Sequence, residues 1–341
     1  MNAKELREVI KIHFEKKVPL LIYGPPGIGK SQITRETAEE LGVEFIDLRL
    51  SLLDPTDLRG FPYVDKEKNI TRWAIPEFFP RDEKSQGILL LDEINLAPPM
   101  VQNASYQLIL DRSVGEYKLP DGWSIVAAGN ISPKEGYITQ IRSALLSRFS
   151  VVELEPPTAK DWVMEYAIPR GIDSRIIGFL SSHPDALMSP ALSSHQTSAA
   201  AGVSQIENFP NPRNWEVASR LIIDQKDDLD TVVKLVELRV GAAVSTLFRA
   251  FLQLAERVDP ESWKREGVEG KIPSTLEEKF YLLTVLVTEL DPAARFIRAI
   301  SGSEPEVGII GLQMLKSKFG FDKIVGHAEW PKIAKLITEY I

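Results

Sequence analysis

Cysteine is absent from the 341 residues, which excludes disulfides, thiolate metal sites and cysteine nucleophiles and is compatible with a reducing compartment. Long apolar runs are missing as well. The most continuous, Ile88-Leu89-Leu90-Leu91, falls far short of the ~18 residues a membrane-crossing helix needs. The opening Met-Asn-Ala-Lys-Glu-Leu-Arg-Glu is a charged amphipathic stretch with Leu6, Val9, Ile10 and Phe14 on one face, without the apolar centre of a signal peptide. Cytoplasm is therefore the expected location. Neither charge sign dominates: 40 basic against 48 acidic residues give −8, which argues against a dedicated nucleic-acid or membrane-surface protein, since both present cationic faces. Histidine is scarce, and His13, His183, His195 and His327 show no metal-ligand spacing. Internal repeats, heptad seams and low-complexity tracts are also lacking.

What is present is an ordinary globular composition, 44% hydrophobic and 26% charged, in a chain long enough for two or three structural units. After the first helix, Val18–Tyr23 is a short apolar run of the kind buried on both faces of a parallel sheet. A glycine-rich turn, a helical stretch from Gly29 to Leu41 and a second strand, Val43–Leu50, complete a βαβ unit. Residues 54–80 read as an insertion, with prolines at 55, 62, 76 and 80, a hairpin around Asp65–Asn69, and aromatics Phe61, Tyr63, Trp73, Phe78 and Phe79 that need a surface to cover. A buried strand at Ile88–Leu91 and a helix over about Pro98–Asp111 follow. Ser113–Lys118 and Trp123–Ala128 read as the two arms of a hairpin around Leu119-Pro-Asp-Gly122, and Ser150–Leu154 as a last strand before Pro156-Pro157. Beyond about residue 156 the pattern is helical, with a Ser-, Pro- and Ala-rich loop over 181–212 and helical spacing at 213–226, 228–258, 276–300 and 307–341.

Two motifs carry chemistry. Gly24-Pro25-Pro26-Gly27-Ile28-Gly29-Lys30-Ser31 satisfies the phosphate-loop pattern, and the strand before and helix after it supply the context that the chemistry requires. Phosphate oxygens need backbone N–H groups aimed at them; Gly27 and Gly29 permit that approach and the helix N-terminus adds its dipole. Lys30 would bridge the β- and γ-phosphates and Ser31 would ligate Mg²⁺. A purely structural glycine turn is the bland alternative. The second motif places Asp92 and Glu93 at the end of an apolar strand, where an unpaired charge is costly unless a cation or ligand uses it. Asp92 would hold Mg²⁺ through its hydration shell and Glu93 would polarise an attacking water, which favours hydrolysis over simple nucleotide binding. Capping of the next helix is the competing reading of that pair.

In order along the chain stand Gly24–Ser31, Asp57-Leu-Arg-Gly60, Leu91-Asp-Glu-Ile-Asn-Leu-Ala-Pro-Pro99, Ala127-Ala-Gly-Asn130, Ala144-Leu-Leu-Ser-Arg148-Phe149 and Pro212-Arg213-Asn-Trp215. Together they resemble an AAA+ ATPase, within that superfamily most closely the MoxR-type or dynein-related, helix-2-insert group, over about residues 1–225. Leu96 stands where that group often has Arg, and Gly29 where its phosphate loop often has Ala. The resemblance implies an α/β fold: a three-layer αβα P-loop NTPase core with a parallel sheet over 1–155, a helical lid over 156–225 and a helical C-terminal extension over 226–341. It further implies Asn130 as the first sensor, contacting lytic water or γ-phosphate, and Arg148 as an arginine finger reaching a neighbouring subunit, with Arg142 as rival. Arg213 would be the second sensor, on the lid. By the same resemblance, 54–80 is the helix-2 insert and 113–128 the presensor hairpin, both facing a channel or client. Phe61 and Tyr63 would then either grip a partner peptide or pack the insert onto the core.

The resulting expectation is an ATP-hydrolysing, Mg²⁺-dependent remodelling motor or chaperone, with active sites between subunits of a ring, expected to be a hexamer, acting on a protein client. A partner with a von Willebrand A domain is implied by resemblance alone. A nucleic-acid-directed motor NTPase is one alternative, disfavoured by the acidic balance and by the absence of an Asn-Lys-x-Asp guanine signature. A nucleotide-gated assembly scaffold with little turnover is another, against which Glu93 and Arg148 argue.

Overall fold

The computed structural model describes residues 1–130, 146–188, 208–225, 228–265 and 269–338. It divides into two compact units, Met1–Pro156 and Pro157–Ile341. The first begins with helix α1, Ala3–Lys16, whose start is fixed by a reciprocal cap: Glu5 N–H donates to the Asn2 side chain at 2.9 Å and Asn2 N–H donates to the Glu5 carboxylate at 3.0 Å. Leu6, Ile10 and Phe14, at successive intervals of four, form its buried stripe.

Strand β1 (Leu20–Gly24), helix α2 (Lys30–Leu41) and strand β2 (Glu44–Arg49) form the expected βαβ unit. A short helix α3 (Pro55–Arg59) leads into an antiparallel hairpin of β3 (Phe61–Asp65) and β4 (Ile70–Ala74). Strand β5 (Gly87–Asp92) and helix α4 (Pro99–Asp111) come next, then the small strands β6 (Ser113–Val114) and β7 (Tyr117–Lys118), β8 (Trp123–Asn130) and β9 (Ser150–Glu153). The main sheet has the order β2-β5-β8-β1-β9 with every pairing parallel. Ile88 to Leu91 are fully buried, as a strand covered on both faces requires.

One expectation differs from what folds. The hairpin in this region closes earlier, pairing Ser113–Val114 with Tyr117–Lys118 around Gly115, whose φ of +59° supplies the left-handed residue a tight turn needs. Trp123–Ala128 belongs to β8, an inner strand with Trp123 through Gly129 all buried, so burial and not the nearby turn selects its partners. The Pro120–Gly122 turn exists, with Trp123 N–H donating to Pro120 O at 3.0 Å, but it feeds the chain into the sheet. Within the insertion, Phe79 is buried and stacks on Tyr117 with ring centroids 4.4 Å apart, while Phe61 and Tyr63 stand 65% and 50% exposed on the hairpin.

The second unit is helical over its described residues. Its principal helices are Ser174–Ser182, Pro212–Ile222, Leu229–Val240, Ala242–Leu252, Leu276–Leu286, Leu290–Ile300 and Pro305–Phe319. Of the loop expected over 181–212, residues 189–207 lie outside the described residues. Breaks fall at Gly241 and Gly320, at φ +85° and +84°. One hydrophobic cluster runs from Ala159 to Ile333, so residues on both sides of position 226 share a core. At its centre Phe179 lies 5.6 Å from Trp215 and 5.3 Å from Phe248, ring to ring, and Trp215 Nε1 donates to Ala186 O at 2.9 Å. Among the described residues, no helix is long and apolar enough to cross a membrane. Because Trp215 is fully buried and its indole N–H is satisfied, Trp215→Ala is expected to cost the second unit about 3–5 kcal/mol. Urea unfolding of parent and variant checks this through the change in midpoint.

Candidate nucleotide site

Parallel strands deliver their C-terminal ends to one edge, and in an open α/β sheet ligands bind outside that edge. Here the register sets Gly24 of β1 opposite Asn130 of β8, and Arg49 of β2 opposite Asp92 of β5. The phosphate loop, the acidic pair and Asn130 therefore converge on one edge without any long-range side-chain pairing being required to bring them there.

The loop from Gly24 to Ser31 is shaped by its glycines. Gly27 and Gly29 sit at φ +79° and +97°, where a side chain would be strained, and a Cβ on Gly24 would come within 2.6 Å of Leu154 O. Pro25 and Pro26 stiffen the exit from β1, and the buried Ile28 pins the loop to the domain. Gly29 is the N-cap of α2 and offers no side-chain acceptor, so the first amides of that helix are available to an anion. Lys30 is buried, and its Nζ donates to Gly24 O at 2.8 Å, Pro25 O at 2.9 Å and Asn130 Oδ1 at 2.7 Å. These acceptors keep an ammonium soluble where water is largely excluded.

Ser31 Oγ donates to Asp92 Oδ2 at 2.7 Å, and Asp92 Oδ1 accepts from Glu93 N–H at 2.8 Å. A hydroxyl and a carboxylate in contact at the end of a phosphate loop form an all-oxygen donor set suited to a hard divalent cation. Glu93 adopts φ +57°, unusual for a residue with a side chain, and this turns its carboxylate off the strand direction. That carboxylate accepts from Ser51 Oγ, in the turn after β2, and lies 3.9 Å from Arg49 Nε. Asn95 is buried; its Nδ2 donates to Asn130 O at 2.8 Å and its Oδ1 accepts from Asn130 N–H at 3.0 Å.

The structure thus brings Gly24 through Ser31, Asp92, Glu93 and Asn130 together. Arg148 lies in the turn before β9, exposed and paired with no carboxylate among the described residues; its rival Arg142 lies outside the described residues. Arg213 belongs to the second unit, exposed in the first turn of the helix Pro212–Ile222. Sequence reasoning missed Ser51, Asn95 and Asp47. Asp47 carried a signal, being an acid inside the apolar run Phe45-Ile-Asp-Leu48. Its Oδ1 is buried without a hydrogen-bond partner, and burial together with the neighbouring Asp92 and Glu93 charges pushes its pKa up, against the opposing pull of Arg49 and Arg35.

Residues 20–156 match the family described as ATPase family associated with various cellular activities (AAA). That match falls within the first unit, Met1–Pro156. Lon protease 2 of Borreliella burgdorferi is 35% identical over 91 residues, covering 26% of this chain and 11% of that protein. Lon protease of Flavobacterium johnsoniae is 26% identical over 177 residues, 46% of this chain and 20% of that protein. The chain therefore spans only a small part of the length of these relatives. Among solved structures, NtrX of Brucella abortus in complex with ADP shares 17% identity at a TM-score of 0.39, covering 99% of this chain and 68% of that one.

The raised pKa of Asp47 gives the first unit a signed pH dependence. A native state that holds this proton more tightly than the unfolded chain loses stability as pH rises from the unfolded carboxylate value, about 3.9, through the native one. Asp47→Asn is expected to remove that loss, so its melting temperature should exceed the parent's at neutral pH and converge with it below about pH 4. Thermal melts across that range check the sign.

Proposed function

We propose that this protein is an ATP-hydrolysing remodelling motor of the MoxR-type, helix-2-insert group, with active sites completed between subunits of a ring. The observation that carries the reading is the convergence of Lys30, Ser31, Asp92, Glu93 and Asn130 on one edge of a parallel sheet. The amides of Gly27, Gly29 and the start of α2 would hold the triphosphate, and Lys30 would exchange the acceptors Gly24 O, Pro25 O and Asn130 Oδ1 for phosphate oxygens. Ser31 and Asp92 hold Mg²⁺, which when bound neutralises charge building on the phosphates. Glu93, released from Ser51, takes the proton of the attacking water. Asn130, freed from Lys30, orients that water or the γ-phosphate.

Arg148 is supplied in trans, its exposed guanidinium being free to meet the equatorial oxygens of a neighbour's nucleotide. Arg213 serves as the second sensor in cis, on the helical lid at 156–225, and residues 226–341 extend that lid. The exposed Phe61 and Tyr63 on the insert hairpin favour the gripping reading over packing, and the client is a protein, with a von Willebrand A domain partner suggested by the resemblance. A hexamer is the expected ring and cytoplasm the expected location.

Glu93→Gln is expected to bind ATP within about threefold of the parent and to lower kcat by about 10²–10⁴. Parental turnover in that variant would remove Glu93 from its role. Arg148→Ala and Lys30→Ala are each expected to be inactive alone, and mixing them should restore the interfaces that pair an intact loop with an intact finger. Steady-state ATPase assays on mixed assemblies, verified by mass, check this; a mixture no more active than its components would point to Arg142 or to a site complete within one subunit.

A further inference from the structure

Strand β8 outruns its neighbour. Pairing of β5 with β8 stops at Leu91 opposite Ala127, yet β8 continues to Asn130, so the last peptides of β8 have no strand beside them on the β5 side. The turn after β5 takes over that ladder. Ile94 N–H donates to Ala128 O at 3.0 Å, and the Asn95 carboxamide then closes on both polar groups of Asn130, donating to its carbonyl at 2.8 Å and accepting from its N–H at 3.0 Å. A side-chain amide has the same donor–acceptor pair as a peptide, so Asn95 continues the sheet by one rung. The approach requires Gly129: a Cβ there would stand 3.0 Å from Asn95 Oδ1 and 3.0 Å from Tyr23 Cε1. Asn95 itself is 2% exposed, and Gln102 of α4 anchors the same turn by donating to Ile94 O at 3.1 Å.

We infer that Asn95 is a positioning residue for hydrolysis, which fixes the separation between Glu93, two residues before it, and Asn130, whose backbone it clasps. The inference rests on the hydrolytic reading above. Among the described residues, Lys30 ties the Asn130 side chain from the phosphate-loop side, and that bond must open when phosphate arrives. The Asn95 clasp uses only the Asn130 backbone, so it persists while the Asn130 carboxamide changes partner. A general base and a water-orienting amide held at one separation is the arrangement that a near-attack geometry demands, and small misplacements there are costly in rate.

The test uses the full chain, with kcat, ATP affinity and melting temperature measured for Asn95→Ala and Asn95→Asp. Asn95→Ala is expected to lower kcat about 10- to 100-fold while ATP affinity stays within about threefold. In Asn95→Asp the ionised carboxylate still accepts from Asn130 N–H but opposes the Asn130 carbonyl; once protonated it has an O–H to donate there. Its kcat relative to the parent at the same pH should therefore climb as pH falls from about 8 to about 5. A kcat for Asn95→Ala within about twofold of the parent overturns the inference, as does an equal fall in rate and affinity, or a pH-independent ratio for Asn95→Asp. Should Asn95→Ala fail to fold, the Asn95→Asp ratio decides alone. Glu93→Gln in the same assay separates the two levels: if it is inactive while Asn95→Ala is parental, this inference alone falls; if Glu93→Gln turns over like the parent, the hydrolytic reading falls and this inference with it.

Discussion

A buried ammonium is the constraint around which the site is organised. Lys30 cannot lie inside the first unit without acceptors, and those it finds include groups from two separate parts of the chain: the carbonyls of Gly24 and Pro25, and the carboxamide of Asn130 a hundred residues later. The parallel register that sets Gly24 opposite Asn130 is what makes this possible. Phosphate oxygens offer Lys30 a stronger set of acceptors than neutral carbonyls do, so on the proposed reading nucleotide entry would be an exchange of partners and not the solvation of a bare charge. On the proposed reading, the side chain that Lys30 would let go is that of Asn130, which couples the loop to the far strand end through a side-chain contact.

Around that centre, the acidic pair is held by contacts of different kinds. Asp92 is clasped by Ser31 and by the amide of Glu93, both close neighbours along the edge. Glu93, by contrast, is drawn aside to Ser51 and toward Arg49, on the strand beyond. One carboxylate is thus paired with a hydroxyl of the phosphate loop, and the other is held by the Ser51 hydroxyl and the Arg49 guanidinium, contacts that a competing hydrogen-bond donor such as water can replace.

The legible parts of this molecule are those whose chemistry is local. The Gly24–Ser31 loop announces itself because glycines, lysine and hydroxyl must stand at fixed intervals, and β1, β2 and β5 because strands covered on both faces are apolar without alternation. β8 is equally apolar, but the Pro-Asp-Gly turn beside it suggested an antiparallel partner, and turn chemistry says nothing about which strand lies across a sheet. Asn95, Ser51 and Asp47 were hidden for the same reason. Their partners, Asn130, Glu93 and the cluster around Asp92, are remote in sequence and become neighbours only through strand order. In the insertion, composition demanded a surface for five aromatics, yet only the fold distributes them, with Phe79 against Tyr117 and Phe61 and Tyr63 left in solvent.

In the second unit, the helix that bears Arg213 is sealed into its surroundings two residues further on, where Trp215 meets Phe179 and Phe248 and is hydrogen-bonded to Ala186. Such a helix cannot tilt by itself, because close-packed rings do not slide past one another at small cost. Any pull exerted on that guanidinium is therefore passed first to the ring cluster that Trp215 shares with Phe179 and Phe248, so the side chain's neighbours in sequence anchor it to the core of its own unit.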